Sequence, residues 1–118
     1  MNSEADKLVQ EIAGMIYESA QLESTGWKHA ISRFQFFDGA CKDTFSWVST
    51  DGDVNFYFPD LDIEIDEKVE LLRECSAVEG RKWIVCLVIV SADRKIRIDF
   101  EHEDSERWDP NKFEGLAN

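Results

Sequence analysis

The run WIVCLVIV, residues 83–90, constrains this chain more than any other segment. It is far too short to cross a bilayer, and with no polar residue alternating through it, it cannot form a strand with one wet face. It predicts a strand over 82–90 that is covered on both faces and lies near the middle of a sheet. The remaining segments must supply the neighbours and the covers.

Several segments carry a strand pattern. After a tight turn at 91–94, Ile96, Ile98 and Phe100 alternate with Arg97, Asp99 and Glu101, so one side packs and the other meets solvent or a partner. Trp27–Phe37 is rich in aromatic and β-branched residues and ends at the Asp38-Gly39 turn. Strands over 44–49 and 54–58 flank Thr50-Asp51-Gly52-Asp53, whose Asp-Gly step signals a hairpin, and Val54, Phe56 and Phe58 share one face. Pro59 ends that pairing.

Two further segments carry helical spacing. Over 4–22 the apolar positions are Leu8, Val9, Ile12, Ala13, Met15, Ile16, Ala20 and Leu22, with Ser3 as N-cap. A second helix is predicted with Asp66 as its cap, Val69, Leu71, Leu72 and Cys75 as its apolar stripe, and Gly80 as its stop. The order α-β-β-β-α-β-β predicts an α+β fold, a single antiparallel sheet of about five strands with two helices packed on it, in one domain over 1–118. At 118 residues, 43% hydrophobic, such a domain can bury a core without help.

Residue types that carry chemistry are sparse. Cys41, Cys75 and Cys86 form an odd set without a CxxC pair and are read as reduced thiols. His29 and His102 stand in no metal-ligand spacing. Asp51, Asp53 and Asn55 match the opening of a calcium loop, but Phe56 holds the glycine position and Asp62 the terminal glutamate position, so the segment is read as a plain hairpin. There is no GxSxG elbow and no phosphate loop, and pairs such as Asp99 with Glu101 or Asp62 with Glu64 arise in any acidic chain. No catalytic residue, metal or cofactor is expected. The N-terminus lacks a basic leader, and a cytosolic location is expected.

The charge is the remaining clue. With 25 acids against 13 bases, the net charge of -12 repels nucleic acid and anionic membrane and attracts cationic protein. From Asp60 to Glu70 six acids face only Lys68, and from Asp99 to Asp109 six acids face only Arg107, so each stretch carries -5. Concentrated charge costs stability by self-repulsion, and a binding role accounts for it better than solubility does. Candidate partner-binding residues are Asp60, Asp62, Glu64 and Glu67 in the first stretch and Asp99, Glu101, Glu103 and Asp104 in the second. Trp108 and Tyr57 are candidate anchors, and the plainer reading of Trp108 is that it folds back onto the sheet.

The segment IRIDFEHEDSERWDP, residues 96–110, resembles the strand and acidic aromatic turn of the YezG-like immunity and antitoxin family. The resemblance implies a small acidic α+β protein without catalytic activity. Such proteins bind the toxic C-terminal domain of a polymorphic or contact-dependent growth-inhibition toxin, commonly a nuclease, in the producer's cytosol. It also implies that Asp99, Glu103, Asp104 and Trp108 face the toxin while Phe100 is structural. Two other readings stay open, a cytosolic adaptor or chaperone-like module that pairs with itself or with a secretion substrate, and a small hydrolase using Asp62 and Glu64.

Overall fold

A computed structural model describes residues 3–77 and 80–109. The elements are α1 (Ser3–Glu23), β1 (Trp27–Phe37), β2 (Ala40–Ser49), β3 (Val54–Tyr57), α2 (Asp62–Cys75), β4 (Val85–Ser91) and β5 (Ile96–Glu101). The strands form one antiparallel sheet in the order β3-β2-β1-β4-β5, which is the expected α+β architecture. The β1–β2 hairpin closes on Asp38 and Gly39, both at positive φ (48° and 78°), the left-handed pair that a two-residue hairpin turn requires. That tight turn starts β2 at Ala40, opposite Phe37, rather than at 44, because the turn and not hydrophobicity propagates the pairing.

On one sheet face, both helices bury their apolar stripes. Leu8, Ile12 and Ile16 of α1 and Ile65, Val69 and Leu72 of α2 pack with Ala30, Phe34, Phe45, Cys86, Val88 and Val90 of the strands. Trp83, fully buried, joins the layers. Its ring stacks on Phe100 at 5.2 Å and meets Phe36 edge-on at 5.4 Å, and its indole N–H donates to Ser76 Oγ at 2.9 Å. Arg73 Nε in turn donates to the Trp83 carbonyl at 2.7 Å, which ties α2 to the approach to β4.

Three features of the helices differ from the expectation. α2 begins at Asp62, whose Oδ1 accepts the Ile63 N–H at 2.8 Å, so Asp66 lies inside the helix and is not its cap. The earlier start adds Ile65 to the buried stripe of Val69 and Leu72, and Leu71, about 100° round the helix from Leu72, faces solvent. The helix stops at Cys75, and Gly80, at φ 75°, serves the following turn. On α1, Leu22 falls on the last turn beyond the sheet and is exposed.

The opposite face explains the apolar run. Val85 to Val90 are all buried, as predicted, but the second cover is not a helix. Trp108, from the chain after β5, packs on Ile31, Val48, Leu87 and Ile89. The anchor of this strap is Arg33, only 4% exposed, which donates Nε to the Arg107 carbonyl at 3.0 Å and Nη2 to the Ser105 carbonyl at 2.8 Å. Burial pulls the Arg33 guanidinium below its ordinary value, and the charges of Asp109 and Asp104 oppose that shift. The strap is shaped by its own acids. Glu101 Oε2 accepts the N–H groups of Glu103 at 3.1 Å and Asp104 at 3.3 Å, and Asp104 Oδ1 accepts that of Glu106 at 3.0 Å. Phe113, noted in the sequence as an isolated aromatic, lies outside the described residues. All three cysteines are free thiols, and among the described residues no helix is long and apolar enough to cross a membrane.

Replacing Arg33 by Met removes the charge-assisted bonds that hold the strap. It is expected to lower unfolding stability by on the order of 2–4 kcal/mol in chemical denaturation. Limited proteolysis should then cut within 102–109, and Trp108→Ala should expose the same site.

Candidate protein-binding surface

The predicted partner-binding residues do not form one surface. α2 lies on the helix face, its Arg73 guanidinium 4.9 Å from the Phe36 ring of β1, whereas β5 is the edge strand farthest from β3 and the strap crosses the opposite face. Asp60, Asp62, Glu64 and Glu67 are therefore separated from Asp99, Glu101, Glu103, Asp104 and Trp108 by the thickness of the sheet.

The two groups also differ in what their charges meet. In the second group Asp99 pairs with Arg97 at 2.7 Å, Glu101 with Arg107 at 3.2 Å and Glu103 with Arg81 at 3.4 Å. Exposed pairs of this kind add little stability, but they cancel the field a partner would feel. The backbone N–H groups of Glu103 and Asp104, then Arg107, hold the Glu101 carboxyl below its usual range. Trp108, under the Arg107 guanidinium at 5.0 Å, is committed to the second core.

In the first group, Asp60, Asp62, Glu64 and Glu67 form no ion pair among the described residues. The one base of that stretch, Lys68, pairs with Glu11 of α1. Beside these acids Phe58 is 91% exposed and Ile63 69%, with Leu71 exposed farther along α2, whereas Val54 and Phe56 (59% exposed), in register with Val48 and Ser46, leave the edge strand on the strap face. Large apolar side chains grouped this way and rimmed by charge mark an interaction site. The sequence did point at the aromatic part, through the shared face of Val54, Phe56 and Phe58, but could not say which face was wet. Tyr57 proves to be core, 7% exposed, its buried hydroxyl without a hydrogen-bond partner among the described residues. Burial, then the charge of Glu23, pushes that phenol up to about 12.

No protein-family model and no curated protein matches this chain. Its function has to be read from its own surfaces.

Two other features bring polar groups together. A cleft of about 320 Å³ between α1 and the β4–β5 end is lined by Gln10, Gly14, Tyr17 and Arg94, and the Arg94 guanidinium sits over the Tyr17 ring at 4.6 Å. The cleft carries both a cation and the Glu18 carboxylate, and no Ser, Thr or Cys lines it. Between β2 and α2, the Asp66 carboxyl faces that of Asp43, with Oδ1 buried and without a conventional donor. Two carboxylates in contact need a shared proton. Burial first, then the hydrogen bond and charge of Asp43 and the charge of Asp62, push Asp66 up to about 8. The Cys41 thiol nearby is pushed up to about 12, again by burial first, so it is no nucleophile at neutral pH. Among the described residues no group of three or more His, Cys, Asp and Glu is placed to hold a metal ion.

The Asp43–Asp66 pair gives stability a definite pH dependence. A carboxyl raised from 3.8 to about 8 binds a proton in the fold that the unfolded chain has lost, so its contribution is complete at low pH and disappears as pH rises through about 8. His29, lowered by burial, acts in the opposite sense below its ordinary 6.5, and the Cys41, Cys75 and Cys86 thiols, raised by desolvation, add to the Asp66 loss as pH approaches their ordinary 9.0. Thermal denaturation should show the chain less stable at pH 9 than at pH 7. Asp66→Asn, whose amide donates to Asp43 at either pH, should reduce that difference and melt higher at pH 9.

Proposed function

We propose that this chain is an immunity protein that binds and neutralises a cognate bacterial toxin domain in the producer's cytosol and performs no chemistry itself. The observation that carries this reading is the surface where the chain leaves β3 and enters α2, where Phe58 and Ile63 stand exposed beside Asp60, Asp62, Glu64 and Glu67. Apolar anchors there would supply affinity, while the unpaired carboxylates steer a basic partner and match its lysines and arginines. A nuclease domain with a cationic cleft is the natural target, because the same acids imitate the phosphates of its substrate. The resemblance of 96–110 to YezG-like proteins supports the class. In this chain those residues serve mainly to fold the strap, so the interface is assigned to α2 and β3.

The rival reading as a self-pairing adaptor would use the same apolar patch. The acids around the patch weigh against it, because two copies would bring like charges together.

Mixing the chain with the toxin domain encoded beside it should give a stoichiometric complex and abolish toxicity. No complex at micromolar concentration would refute the proposal. Replacing Asp60, Asp62, Glu64 and Glu67 by Lys should slow association by about tenfold or more at low salt and flatten its salt dependence. Reversal of Asp99 and Glu103 should do much less, and the opposite ranking would move the interface to the strap.

A further inference from the structure

We infer that the free edge of β3 accepts an extended basic segment of the partner as a sixth strand of the sheet. This deepens the proposed function and rests on its premise that the partner is cationic.

The sheet order leaves two edges, β3 and β5. Natural edges are kept from pairing by charges and coverings. β5 is guarded: it carries Arg97 and Asp99 as an ion pair, and the strap begins at its end. β3 lacks such guards along its length, where Val54 and Phe56 are exposed. Its register shows which backbone groups are available. Ser49 N–H donates to the Asp53 carbonyl at 3.0 Å, and antiparallel pairing alternates from there. Asp53, Asn55 and Tyr57 therefore direct their backbone groups to β2. Val54 and Phe56 direct theirs outward, so among the described residues Phe56 offers a free N–H, a free carbonyl and an exposed ring at one position.

The charge selects the occupant. Asp51 and Asp53 precede the strand, and Asp60 and Asp62 follow it. A second copy added to this edge would align those carboxylates with their counterparts, whereas a strand alternating lysine or arginine with apolar residues would pair with them and cover Val54 and Phe56. Main-chain bonds would hold such a strand and side chains would select it.

The probe is a capped octapeptide of alternating Lys and Val, added to the intact chain and followed by amide chemical shifts. The largest shifts should fall on 54–58. A Glu/Val peptide should not bind. Two N-methylated versions, blocked at the Lys or at the Val amides, present opposite edges, and at least one should bind about tenfold more weakly through lost main-chain bonds. Phe56→Pro, which removes only an outward donor and is tolerated at an edge, should weaken the parent peptide similarly. The inference is overturned by no shifts at millimolar peptide, by shifts centred elsewhere, by both N-methylated versions binding as tightly as the parent peptide, or by dimerisation of the free chain through β3. With the toxin domain, an unchanged complex from Phe56→Pro rejects strand addition and leaves neutralisation standing. Absence of any wild-type complex rejects neutralisation and leaves the peptide result to decide the edge.

Discussion

Covering both faces of β4 is the requirement that organises this molecule. One face is met by two helices, which can be read from their periodicity. The other is met by a strap that has no regular structure of its own and is held by a nearly buried arginine reaching two backbone carbonyls. Arg33 makes an unusual core residue, since a guanidinium is costly to bury. The carbonyls of Ser105 and Arg107 and the amide of Gln35 satisfy part of its donor set, and the charges of Asp109 and Asp104 offset its own.

This arrangement gives the two acidic stretches different work. In the strap the carboxylates act locally, accepting backbone N–H groups and pairing with arginines, and their charge is largely spent within the fold. Along α2 the acids occupy the solvent side of a helix whose lysine has been drawn to α1. Negative charge in that helix's first turn, from Asp62 and Glu64, is also favourable toward its N-terminal dipole. Equal formal charge in two segments thus corresponds to unequal potential outside the molecule.

Much of the fold was legible because its strongest patterns are local. The apolar run, the alternation of β5, the Asp-Gly turns and the long stripe of α1 each determine an element without reference to the others. What could not be read depends on context. The start of α2 was misplaced because Asp66 resembles a cap, while its actual environment is set by Asp43, distant in sequence. The aromatic face of β3 was recognised, but period-two alternation is symmetric between inside and outside, so Tyr57 was read as a surface anchor although it is buried and its neighbour Phe56 is exposed. The candidate surface was half legible for the same reason: the acids of α2 were visible, and their apolar companions could be known as exposed only once α2 and β3 were placed. Trp108 had two readings, and its burial against Ile31, Val48, Leu87 and Ile89 selects the structural one.

The position of the strap in the chain affects how the protein is made. All five strands leave the ribosome before Trp108 does, so the nascent sheet emerges with Ile31, Leu87 and Ile89 uncovered on one side. For that interval the growing polypeptide is a sticky half-sandwich, and synthesis of the last turn, rather than pairing of the last strand, is the moment at which it becomes safe from aggregation.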